Sequence, residues 1–232
     1  AGSKVIRAFG IFNTNVPADH PMMYGMPWPG DYFIAPDGTV RDKLFLPNYE
    51  YRPSASQVLL RHFNDGIGNS IEIKSDRLDA VVALSTDRCF PGHEIAISLD
   101  LRVKPGWHVY GKPLASNYQA IELELQGPLI GEQSLELPAP QQMHLKALNE
   151  TLPVYSGEVR AVGKVGIKWS PPMPAKFLEP LGDLIKPGSY SIRGTLRFQA
   201  CSDTVCESPQ AITFDLPLTI TPRVPPAPKK SG

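Results

Sequence analysis

The 232-residue chain carries 23 Lys and Arg against 23 Asp and Glu, so its formal net charge is zero. A balanced chain has no net field to gather nucleic acid or an anionic membrane surface, and no apolar run reaches the ~18 residues that a spanning helix needs. With 42% hydrophobic residues it has the material for packed cores, in one large or two small domains.

The sequence opens at Ala1-Gly2-Ser3 with no signal-peptide pattern and reads as a piece of a longer protein. Residues 4–10 predict a short helix, capped by Ser3, with Val5, Ile6 and Phe9 on one face and Gly10 at its end. A proline-rich loop runs to Met26-Pro27-Trp28-Pro29. Asp31 to Ala35 predicts a strand, Pro36-Asp37-Gly38 a hairpin turn, and Thr39 to Leu46 the return strand. Ser54-Ala55-Ser56-Gln57 reads as a capping box opening a helix through Val58, Leu59 and Phe63. Residues 69–76 read as a linker.

From residue 77 the pattern is all-β. Leu78, Ala80, Val82 and Leu84 share one strand face, and Ile95, Ile97, Leu99, Leu101 and Val103 alternate cleanly. Shorter strands follow at Trp107–Tyr110, at Ile121, Leu123 and Leu125, and at Leu135 and Leu137. A long alternation returns through Val159, Ala161, Val165 and Ile167. Two more strands carry Tyr190, Ile192, Leu196 and Phe198, then Ile212, Phe214, Leu216 and Leu218. The 25 prolines and 19 glycines punctuate these runs. Short strands between Pro/Gly turns predict a mainly β fold, a β-sandwich over 77–221. Residues 222–232, rich in Pro and Lys, predict a solvated tail.

Two of the three cysteines, Cys201 and Cys206, sit where the last two strands meet. Spacing alone leaves three readings open. As a staple they are weak, because a loop of about 6 residues contributes only about 2 kcal/mol in the chain-entropy model, against roughly 4.7 for a 100-residue loop. As a zinc site they fill half a tetrahedron, and no second Cys pair or His-x3-His accompanies them. As a redox pair, one thiolate attacks a partner's disulfide and its neighbour resolves the product. Cys89 reads as a buried free thiol. His20, His62, His93 and His144 are scattered, and His108 reads as packed beside Trp107, so no metal site is expected.

Two resemblances sharpen this. Gly25-x-Pro27-x-Pro29, followed by Phe33-Ile34-x-x-Asp37-Gly38-x-Val40, resembles the closing segment of AhpC/TSA-type redoxin domains. It implies that residues 1–68 are the C-terminal half of a thioredoxin-like α/β domain, with Pro29 as its cis proline. A cis X-Pro bond costs only about 0.5–1 kcal/mol. Residues 1–75 hold no cysteine, so this half carries no thiol of its own and peroxidase activity is disfavoured. The competing reading of 1–68 is an unrelated small α/β cap.

The second resemblance rests on Lys104-Pro105-Gly106-Trp107-His108-Val109-Tyr110-Gly111, then Pro153-Val154-Tyr155-Ser156-Gly157-Glu158-Val159, then Phe198-x-Ala200-Cys201-x4-Cys206-x2-Pro209. In order and rough spacing these resemble the N-terminal domain of thiol:disulfide interchange protein DsbD. That implies an immunoglobulin-like sandwich working outside the cytoplasm, in a periplasm. Its implied partners are thioredoxin-fold redox proteins and a membrane-embedded electron donor. No cofactor, no nucleic acid and no membrane insertion of this chain are expected.

The resemblance assigns Cys201 and Cys206 as the exchanging pair, with Cys206 forming the mixed disulfide. Residues 149–156 resemble the family's cap loop: Leu152, Val154 and Tyr155 would cover the sulfurs, and Glu150 would modulate proton transfer; the competing reading is an ordinary inter-strand loop with a core tyrosine. Phe198 stands where that family often has a hydroxylated aromatic. Asp203 and Glu207 would raise the thiol pKa values unless the fold brings in a cation, which predicts a pair that reacts slowly until docked. The alternative reading is a non-catalytic interaction domain with a static disulfide.

Overall fold

A computed structural model describes residues 4–8, 14, 17–19, 24–25, 30–45, 54–63, 68–115, 117–168 and 185–222. The chain divides into two compact units, Ala1–Ser54 and Ala55–Gly232. The first contains helix α1 (Lys4–Ala8) and an antiparallel hairpin of β1 (Gly30–Ile34) and β2 (Val40–Phe45). The hairpin turn follows its sequence signal. Gly38 adopts φ +84°, which costs a residue without Cβ little. The Thr39 N–H and hydroxyl both donate to Asp37 Oδ1, at 2.9 and 2.7 Å. Pro29, expected cis, lies outside the described residues, as does the tail beyond 222.

The second unit begins earlier than the sequence implied. Helix α2 (Ala55–Val58) continues into a wider π turn over Leu59–Phe63. This helix, expected to close the redoxin half, packs on the sandwich instead. Leu60 is fully buried in a cluster with Ala83 and Ala96, and Gln57 Nε2 donates to the Glu94 carbonyl at 2.7 Å. The linker expected at 69–76 is also corrected: Asn69–Lys74 form strand β3. Ile71 and Ile73 alternate with polar neighbours, so the segment can hide one face while its backbone pairs with β4 (Leu78–Leu84). A Ser- and Asp-containing surface composition masked that alternation.

Two sheets face each other across the main core. One has the order β3–β4–β6–β12–β9, adding β6 (Glu94–Val103), β9 (Ile130–Glu136) and β12 (Glu158–Ile167). The other is β5–β15–β13–β8, with β5 (Arg88–Cys89), β8 (Glu122–Gln126), β13 (Gly188–Phe198) and β15 (Gln210–Ile220). Period-two alternation sends Leu99 and Leu101 from the first sheet and Ile192, Leu196, Phe198 and Leu216 from the second into one apolar cluster. Each such side chain stabilises the fold by roughly 1.5–3 kcal/mol. The fold is thus mainly β and immunoglobulin-like, and among the described residues no helix is long and apolar enough to cross a membrane.

A third, small sheet has the order β10–β11–β7–β14, from β7 (His108–Tyr110), β10 (Gln141–Leu145), β11 (Glu150–Tyr155) and β14 (Ala200–Cys201). The stretch read as a loop at 149–156 is therefore largely a strand. It pairs with β10 from Gln141↔Val154 to Leu145↔Glu150, because Leu152 and Val154 alternate inward. The turn of this hairpin is closed by Asn149 at φ 56°, a conformation that asparagine tolerates.

Leu60→Ala should lower the unfolding free energy of the β-unit by about 2–4 kcal/mol, read as a lower urea midpoint. An unchanged midpoint would place the helix outside that cooperative unit.

Candidate thiol–disulfide site

The site is built by two very short strands. β13 ends at Phe198, buried in the main core, and β14 begins two residues later. β14 pairs with β7 as Ala200↔Val109 and Cys201↔His108. Alternation then divides the side chains between two faces. Val109 and Ala200 enter the sandwich core. Tyr110 and Cys201 turn to the other side, into a second cluster with Leu145, Leu152 and Val154.

Cys201 and Cys206 are joined in a disulfide. The loop between them is tightened by the Ser202 N–H donating to the Val205 carbonyl at 2.8 Å. Cys201 is fully buried, whereas Cys206 is half-buried and follows Val205, which is 48% exposed. The pair is therefore asymmetric: one sulfur is sealed, the other reachable from solvent.

The Tyr110 hydroxyl lies 2.6 Å from Cys201 Sγ and 3.5 Å from Cys206 Sγ. A disulfide sulfur has no proton, so the phenol donates. Burial, then the neighbouring Tyr118 and Glu150, push the Tyr110 pKa up to about 12, so the phenol keeps its proton at physiological pH. Tyr118 tilts against Tyr110 with ring centroids 5.3 Å apart, and its own hydroxyl donates to Glu150 Oε2 at 3.1 Å. A carboxylate at the surface is thus linked through two tyrosines to the disulfide.

Of the residues expected to cover the sulfurs, Leu152 and Val154 share the cysteines' cluster, and Glu150 reaches it through Tyr118. Tyr155 does not: it packs in the sandwich core and donates its hydroxyl to the Pro138 carbonyl at 2.7 Å. Phe198 is likewise a core residue, fully buried. Sequence reasoning missed Tyr110, Tyr118 and Leu145 as site residues. Tyr110 was findable, since it lies two residues from His108 on the same strand face and inside a quoted motif. Tyr118 and Leu145 carry no such signal. His108 stands opposite Cys201 in register, and its Nδ1 is buried without a hydrogen-bond partner among the described residues.

The acidic setting read from the sequence is offset by the fold. Arg77 closes on Glu207 at 2.6 Å, and Lys146 approaches Asp203 at 3.6 Å. Both carboxylates of the cysteine loop thus have a basic partner, and the Arg77 pair is the more shielded of the two, the Lys146 pair being exposed. Cys89 is a buried free thiol that burial pushes up to about 11, which leaves it inert at neutral pH.

Because the fold favours neutral Tyr110, its contribution to stability is complete below the ordinary tyrosine pKa of about 10 and is lost as the pH rises through about 12. Wild-type stability should fall across that window, and Tyr110→Phe should flatten the fall. Identical profiles in denaturant titrations at pH 9 and 12 would contradict this.

No curated protein matches the chain. Among solved structures, the N-terminal periplasmic domain of ScsB from Proteus mirabilis matches at 13% identity and a TM-score of 0.42, over 66% of this chain and 51% of that one. The chain thus spans about half the length of that structure. The family model described as thiol:disulfide interchange protein DsbD, N-terminal, matches residues 80–218, most of the sandwich and both bonded cysteines. The chain belongs to the DsbD N-terminal domain family.

Proposed function

We propose that this chain is an extracytoplasmic thiol:disulfide oxidoreductase module that relays electrons through Cys201 and Cys206. The observation that carries the reading is the asymmetric disulfide: a sealed Cys201 sulfur under a protonated Tyr110, bonded to a reachable Cys206. A structural bond has no need of a proton donor on one sulfur and an opening on the other.

In this reading a partner thiolate attacks Cys206 Sγ. The Cys201–Cys206 bond breaks, a mixed disulfide forms on Cys206, and the electron pair leaves on Cys201. The Tyr110 O–H, at 2.6 Å, stabilises that leaving thiolate by hydrogen bonding. The partner's second thiol then attacks the mixed disulfide at the partner's own sulfur and releases the Cys206 thiolate. Two protons complete the two thiols, so two electrons and two protons have entered the chain. Run backward, the same steps reduce the next partner's disulfide. Thioredoxin-fold proteins fit as partners, since they carry such vicinal thiols, and a membrane-embedded donor would supply the electrons in a periplasm. The exposed Val205 beside Cys206 offers such a partner an apolar contact.

The hairpin β10–β11 acts as the cap, with Leu152 and Val154 as its inner face. Glu150 tunes proton delivery through Tyr118, while Tyr155 and Phe198 anchor the cap and the cysteine strand to the core. The N-terminal unit is read as the closing part of a redoxin domain, supported by its proline motif and the β1–β2 hairpin. In a longer protein such a fusion would let one domain reduce the other.

The competing reading, a static disulfide in an interaction domain, is separated by equilibrating the protein with glutathione buffers. Exchange predicts a reduction potential near about −200 mV, whereas a potential below about −300 mV marks a structural bond and would overturn the proposal.

A further inference from the structure

Glu207 directly follows Cys206 and is held from several directions. Its N–H donates to the Ala200 carbonyl at 3.0 Å. Its own carbonyl accepts from Gln199 Nε2 at 2.9 Å, and Gln199 Oε1 accepts from the Gln119 N–H at 3.0 Å. Its carboxylate accepts from Arg77 Nε at 2.7 Å and Nη2 at 2.6 Å, and from Gln210 Nε2 at 3.0 Å. Arg77 is itself fixed. It lies in the β3–β4 turn, its guanidinium rests 4.1 Å above the Trp107 ring, and its carbonyl accepts the Lys104 N–H at 2.9 Å. Ser75 braces the same turn through the Leu78 N–H at 3.1 Å. None of these bonds involves a sulfur.

We infer that Arg77 and Glu207 are positioning residues that hold the Cys206 limb in place after the disulfide has been reduced. Cys201 is independently fixed by the β14–β7 pairing. With both backbones anchored, reduction does not let the thiols drift apart. The effective concentration of one thiol for the other stays high, which favours reclosure. The clamp therefore sets the poise of the pair toward the disulfide and speeds attack of Cys201 on a mixed disulfide at Cys206. This inference rests on the exchange reading above, and it assigns to a residue 130 positions away in sequence a role in the redox equilibrium.

The test is the equilibrium in which the protein disulfide and two glutathione thiols give the protein dithiol and one glutathione disulfide, a transfer of two electrons and two protons. It is measured on the whole chain for wild type, Glu207→Gln, Arg77→Met and the double variant. Loss of the clamp should lower the closure constant about tenfold in each single variant, a rise of about 30 mV, with little further change in the double variant. A pure charge effect gives opposite signs instead: removing Glu207 favours the thiolate and raises the potential, while removing Arg77 lowers it. Opposite signs, or no shift, would overturn the clamp. Should Arg77→Met fail to fold, Gln210→Ala loosens the same carboxylate, and a rise or its absence decides the matter in the same way. Failure of the exchange reading is distinct, since it appears as a wild-type potential below about −300 mV whatever the variants do.

Discussion

The site depends on the register of β14 against β7. Pairing Cys201 with His108 puts the sulfur on the face that carries Tyr110, away from the sandwich core that takes Val109 and Ala200. Side chains alternate with a period of two, so a slip of one residue would send the sulfur into the sandwich core and Ala200 into the second cluster beside Tyr110. Phe198, fully buried at the end of β13, guards against that slip. Moving it outward would expose a large aromatic, at roughly 1.5–3 kcal/mol. Core packing thus fixes the register at the disulfide, although both cysteines belong to the second cluster rather than the core.

A second constraint is the separation of cover from scaffold. The hairpin β10–β11 meets β7 at only two registered positions, Val154↔Tyr110 and Tyr155↔Val109. Beyond them it lies over the cysteines by side-chain contact, through Leu145 and Leu152 with Met143 and Leu148 at its margin. Side-chain contacts of this kind can part without breaking the sandwich ladders. The hairpin is anchored at Tyr155, and its tip carries Lys146 facing Asp203 of the cysteine loop. An exposed pair of that kind contributes little, about 0–1 kcal/mol, so the tip is held mainly by apolar side-chain contact.

The sequence showed the sandwich plainly, because β6, β12 and β15 alternate over ten or eleven residues each, a period of two that marks a strand. The cysteine pair and its neighbouring strands were equally legible. Boundaries were not. β3 looked like a linker because two isoleucines among Ser, Glu and Lys give a weak signal. The helix at 55–63 looked like part of the preceding unit because its partners, Ala83 and Ala96, are small residues on strands whose larger neighbours dominate the pattern. Long-range polar pairing was invisible: nothing near Arg77 points to Glu207, so the cysteine loop read as acidic when it is compensated. Tyr155 and Phe198 were read as neighbours of the cysteines and lie in the core instead, because proximity along a strand did not reveal which of its two faces the sulfurs occupy.

The central claim, that Cys206 is the sulfur a partner attacks while Cys201 leaves beneath Tyr110, is tested most directly by trapping. Cys201→Ser and Cys206→Ser, each incubated with a thioredoxin-fold protein that keeps only its attacking cysteine, activated as its thionitrobenzoate mixed disulfide so that thionitrobenzoate leaves, are resolved by mass spectrometry under non-reducing conditions. The account predicts a stable mixed disulfide through Cys206 in Cys201→Ser and little or none through Cys201 in Cys206→Ser. Equal trapping by both variants, or trapping through Cys201 alone, would contradict it.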